Sequence, residues 1–203
     1  MAQPGREVTS RGRPTRDRIV RAAAELMFQK GVGGTSIPDV QEAAGVSASQ
    51  IYHYFGDKQG LVRAVIAHQI DATLEKQRPV LDSLDSFEAL EMWRDGAIAA
   101  QEARDCAGGC EIGSLAGELV ETDPLAREDL VAAFNRWEAP IRTGLARMRE
   151  RGELSADADP ASLATAMLAA VQGGLLLTQI RRSTVPLYVT VTAVIEHIRS
   201  FAT

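Results

Sequence analysis

Cysteine is nearly absent. Cys106 and Cys110 are the only two in the 203-residue chain, which excludes a disulfide framework and makes free thiols in a reducing cytoplasm the expectation. Residues 1–18 lack an apolar core, so no secretory signal is expected there. Histidine is as sparse: His53, His68 and His197 are scattered, whereas a metal site wants three or four ligands. No G-x-S-x-G elbow, P-loop or H-E-x-x-H occurs, so no catalytic residue, metal or cofactor is expected. Sustained strand alternation is also missing, and glycine and proline are not concentrated enough to signal disorder. The longest apolar stretch, Leu163 to Ile180, is interrupted by Thr165, Gln172, Thr178 and two glycines. It reads as a core or subunit-interface helix rather than a membrane span.

What is there is apolar enough for a sizeable core, with 45% hydrophobic residues. The net charge of -5 argues against a protein that coats nucleic acid uniformly. The charge is uneven, however. Residues 1–60 carry eight Lys/Arg and six Asp/Glu, while residues 61–203 carry fourteen and twenty-one. A mildly basic front and an acidic remainder suit a chain in which one domain meets phosphate.

The most informative stretch is Thr35 to Gln59, TSIPDVQEAAGVSASQIYHYFGDKQ. A short helix is expected from Pro38 to Ala44, capped by Ser36 with Asp39 three residues on and ended by Gly45. Val46 can plug the corner. Ser47 opens a second helix, with Gln50 completing another capping box. Ile51 and Phe55, four apart, share its buried side. Such a helix-turn-helix can place its second helix in the major groove. The groups available there include Ser47, Ser49, Gln50, Tyr52, His53 and Tyr54. Gln50 has donor and acceptor atoms that suit an adenine edge.

Around it, a floor helix is expected from Arg16 to Lys30, with Thr15 as N-cap and Gly31 as stop. Residues 1–14 read as a polar arm, either disordered or reaching DNA through Arg11 and Arg13. Asp57 can cap a helix from Lys58 that leaves the head. Further helices are expected at 87–102, after the Gly108–Gly109 bend, at 124–151 with Pro140 in its interior, at 160–181, and at 187–201 beyond a break at Pro186. The sum is an all-α chain of about nine helices: a 1–14 arm, a 15–60 helix-turn-helix domain and a larger 61–203 body.

Ile19, Ala22, Ala23, Phe28 and Gly31, followed by Thr35, Val40, Ala43 and the run G-V-S-x-x-x-I-Y-x-Y-F over residues 45–55, resemble the TetR family of bacterial transcriptional regulators. The segment GGCEIGSLAGEL resembles the LmrA/YxaF-like branch, with Glu111 where that branch usually has proline. The resemblance implies a homodimeric, ligand-responsive repressor on a pseudo-palindromic operator in double-stranded DNA. It also implies that Gln50, Tyr52, His53 and Tyr54 contact DNA, with Thr35 and Lys58 on phosphates; Tyr52 or Tyr54 could instead be partly structural. The last two helices would form the dimer interface through Ala166, Ala170, Gly173, Leu177, Val191 and Ile195, unless that stripe is intramolecular core. A small apolar or aromatic effector would meet Trp93, Phe134, Trp137, Ile141, Gln172 and Leu176, with ordinary core packing as the alternative. Both cysteines are expected to be buried and inert, and a redox switch is the competing reading. An activator or a nucleoid-type DNA-binding protein of the same fold is the alternative function.

Overall fold

A computed structural model describes residues 12–203. Among the described residues there are nine helices: α1 (Arg13–Lys30), α2 (Ile37–Ala44), α3 (Ala48–Phe55), α4 (Lys58–Leu81), α5 (Phe87–Glu102), α6 (Glu111–Leu119), α7 (Pro124–Glu150), α8 (Pro160–Arg181) and α9 (Val185–Arg199). No sheet accompanies them; a single bridge joins Leu154 and Ala202. The chain divides into two compact units. One holds the described residues up to Gln69 together with Leu115–Leu130, and the other holds Ile70–Ser114 and Val131–Thr203.

In the first unit, α1 and α2 pack together beside α3 and the start of α4. Ile19, Ala23, Ile51, Leu61 and Val65 are wholly buried, with Val40 nearly so. The reason is periodic: each of these helices turns one apolar face inward. Both expected capping boxes form, Ser36 with Asp39 and Ser47 with Gln50. Gly45 ends α2 at φ +61°, a left-handed conformation that costs glycine nothing. The start of α1 differs from expectation. Gly12, not Thr15, holds the N-cap position, and Pro14 sits in the first turn, where a missing N–H is tolerated. Arg13 is therefore helical rather than part of an arm, and Arg11 lies outside the described residues.

In the second unit, α8 packs most extensively on α9, which also meets α5. Gly174 permits this closeness, since a Cβ there would lie 2.9 Å from the Leu187 Cα. Thr190 adds a hydroxyl donation to the Ala170 carbonyl at 3.0 Å. Pro186 opens α9 instead of interrupting the chain, and Pro79 is contained within the last turn of α4. Helix α8 is long and apolar enough to cross a membrane. Its Leu163, Ala164, Met167 and Val171 are nevertheless buried inside this unit, as the core-helix expectation requires.

Candidate DNA-binding surface and ligand cavity

Helix α3 is fixed from below and from both ends. Ile51 is fully buried beneath it. Arg16 lies over the Phe55 ring at 5.3 Å, and Arg18 Nε donates to the Ala44 carbonyl at 2.8 Å, holding the end of α2. On the opposite face Ser47, Ser49, Gln50, Tyr52 and His53 are exposed, and Tyr54 is half-buried with its ring edge-on to His53. Five polar side chains on one exposed face, carried by a short capped helix, is the geometry of a groove-reading element.

The cap limits what Gln50 can offer. Its Oε1 accepts from the Ser47 N–H at 2.9 Å and from the Ser47 hydroxyl at 3.3 Å. The acceptor is thereby committed within the protein, and the cap uses only the acceptor, not the amide N–H donors. The two-way adenine contact expected from the sequence needs both, so in this geometry Gln50 presents a donor only.

Thr35 also departs from expectation. Thr35 is 1% exposed and its hydroxyl donates to the Gly31 carbonyl at 2.8 Å. The side chain locks the turn after α1 and is not presented to phosphate. The Lys58 ammonium donates to the Val32 carbonyl at 2.7 Å, and two of its three protons remain for a phosphate. The Val32 N–H is held in turn by the Glu118 carboxylate at 2.8 Å. Hydrogen bonds with ionised partners are about twice as strong as neutral ones, so this turn is clamped from α4 and from α6. Neither Glu118 nor Arg18 carries a local sequence signal for these roles, because each partner lies far along the chain.

The second unit contains a cavity of about 380 Å³, within the size range of small-molecule sites. Trp93 and Trp137 line it as expected, with Val171 and Leu175. Their indole N–H groups converge on one atom, Gln77 Oε1, at 2.8 and 3.2 Å. Phe134 stacks on Trp137 at 6.4 Å without lining the cavity. Ile141 is wholly buried core, and Leu176 is 57% exposed on the outer face of α8. Gln172 stands against Cys110 and Gly113, outside the lining. The cavity is also lined by Gln77, Gln101 and Arg104, polar groups that the sequence reading did not single out. Cys110 reaches the wall, but burial pushes its thiol above the ordinary range.

Among the residues expected at a dimer interface, Val191 and Ile195 are fully buried within the chain. Their apolar area is already covered by the chain's own helices. Ala166, Ala170 and Leu177 are half-buried, and Gly173 is exposed. The large exposed apolar side chains of α8 and α9 are instead Leu176, Ile180, Val185, Tyr188 and Val189.

A capped helix-turn-helix in one compact helical unit, and a cavity within a second, larger one, define the class of helix-turn-helix DNA-binding regulators. Residues 19–65 match the profile of bacterial regulatory proteins of the tetR family, and residues 87–194 match that of the tetracyclin repressor-like C-terminal domain. The chain belongs to the TetR family of transcriptional regulators, a family of DNA-binding proteins and not of enzymes. It is 27% identical over 192 residues to the transcriptional repressor DhaR of Mycobacterium sp. (strain GP1), covering 90% of this chain and 91% of that one. A TetR transcriptional regulator from Chloroflexus aurantiacus has a solved structure that superposes with a TM-score of 0.78 at 28% identity, covering 96% and 98%. One from Cytophaga hutchinsonii shares the fold with a TM-score of 0.81 at 20% identity, covering 98% and 99%.

Proposed function

We propose that this protein is a homodimeric repressor that holds a pseudo-palindromic operator through α3 and is released by a small, largely apolar or aromatic effector. The exposed polar face of α3 above buried Ile51 carries the DNA reading. The name of DhaR, a transcriptional repressor, favours repression. Exposed Ile180, Val185, Tyr188 and Val189 supply the apolar area on which a second copy would close. Dimerisation follows from need as well, because one such helix reads few bases and two heads on one duplex read a symmetric site. The setting is cytoplasmic, on chromosomal DNA.

Release requires the effector to favour the state that binds DNA poorly, since a ligand shifts an equilibrium only by its differential affinity. Helix α6 contributes residues to both units. Glu111 at its start lines the cavity, and Glu118 near its end holds Val32. The LmrA/YxaF-like assignment rests on the segment Cys110–Gly113 and belongs to this same reading.

Binding-site selection from random duplexes, followed by mobility-shift titration at physiological salt, tests the proposal. Recovery of an inverted repeat bound by a dimer supports it. Equal affinity for unrelated duplexes would replace it with a nucleoid-type role. Loss of transcription on deletion of the gene would replace repression with activation.

A further inference from the structure

The polar groups of the cavity have an ordered arrangement. Indole nitrogen can only donate, so two indole N–H groups on Gln77 Oε1 determine which way the Gln77 amide faces. Its acceptor is saturated, and its NH2 has no acceptor among the described residues. Gln101, 3% exposed, lines the same cavity with its carbonyl oxygen unpartnered. Arg104 uses its terminal nitrogens on Glu111 at 2.9 Å and on the Gly109 carbonyl at 3.2 Å, leaving Nε buried and unpartnered. A buried polar atom without a partner destabilises the fold, so a cavity wall carrying two of them favours an occupant that supplies what is missing.

The charge count points the same way. The Arg104 guanidinium is already neutralised by Glu111. Lys76, the remaining cation of the wall, is exposed to solvent. An anion entering between the tryptophans would find no free buried countercharge, and desolvating it would be costly. A purely apolar molecule would leave the Gln101 carbonyl and the Arg104 Nε unpaired.

We infer that the cavity takes an uncharged aromatic molecule whose polar end both accepts and donates hydrogen bonds, such as an aromatic amide or hydroxyl compound. The ring lies beside the indoles, an acceptor oxygen takes the Gln77 N–H, and the donor answers Gln101. This deepens the effector reading of the proposed function and names the chemistry of that same site.

Benzamide, benzoate and toluene make a near-isosteric test set that differs in charge and hydrogen bonding. Trp93 and Trp137 are the only tryptophans in the chain and both line the cavity, so their emission reports on it; calorimetry gives an independent affinity. Benzamide is expected to bind at least about tenfold more tightly than benzoate and toluene, the factor that 1.4 kcal/mol represents. The Gln77→Glu protein keeps an acceptor for both indoles and loses the N–H donor. It is expected to lose benzamide binding by a similar factor while toluene binding holds. Benzoate binding as tightly as benzamide would overturn the uncharged class, and unchanged benzamide affinity in Gln77→Glu would overturn the role of Gln77. Failure of all three probes to alter emission or produce heat would overturn the cavity as an aromatic site. Operator binding without any probe is measured separately, so these failures are distinct from failure of the DNA-binding proposal. Benzamide binding that leaves the operator complex intact would support the cavity chemistry and sink its regulatory use.

Discussion

The Glu118 carboxylate accepts the backbone N–H of Val32 at 2.8 Å, joining α6 to the turn that precedes the helix-turn-helix. On the other side of the same residue, Lys58 takes the Val32 carbonyl. The turn between α1 and α2 is therefore held by side chains that approach from two other helices.

Glu118→Ala leaves the Val32 amide without its charged acceptor. The expected loss is about 1–3 kcal/mol of unfolding free energy, read from urea denaturation. Glu118→Gln keeps an acceptor and is expected to lose less. If both variants unfold like the parent, the clamp contributes nothing to stability.

Gln50 can be separated into its two roles. Gln50→Glu retains the acceptor that caps α3 and removes the amide donors that the proposed DNA contact would use. Thermal stability should stay near that of the parent, while operator affinity should fall more than about tenfold, within the range for loss of a base contact. By contrast, Ser47→Ala removes the cap and should cost about 1 kcal/mol of stability. An undiminished affinity in Gln50→Glu would remove Gln50 from the reading surface.

Cys110 should be a poor nucleophile. The thiolate reacts, and burial raises the thiol above its ordinary range, so less thiolate is present at neutral pH than in a free cysteine. Iodoacetamide is expected to modify Cys110 more slowly in the folded protein than in the same protein in denaturant. Operator affinity of Cys110→Ser under oxidant should match that of the parent; a difference would revive a redox switch.

Ile180 is 67% exposed and Val185 is 61% exposed on the free face of α8 and α9. Ile180→Arg places a charge where a second copy would have to desolvate it. The variant should sediment as a monomer, keep its helical circular dichroism and lose operator affinity. Val191→Arg would instead disrupt the chain itself, because Val191 has no exposed surface. A dimer that survives Ile180→Arg would move the interface elsewhere.

The head was legible because its signals are local. Ser36 with Asp39, Ser47 with Gln50, and Gly45 at its turn each act within a few residues, and all formed as expected. The all-α architecture, nine helices among the described residues, followed from apolar periodicity in the same way. Periodicity also marks which face of a helix is covered, but not what covers it. Val191 and Ile195 were therefore apolar in the sequence without revealing that their own chain encloses them.

The sequence by itself determined the helices, the caps of α2 and α3, and the family to which the chain belongs. Tertiary structure alone decided which atoms remain free to act. Gln77 became the shared acceptor of two indoles because α5 and α7 bring Trp93 and Trp137 to it across 16 and 60 residues. Glu118 found Val32 across 86. A capping bond is set by neighbours in sequence, whereas these pairings exist only once the packing of distant helices has fixed the distance between them.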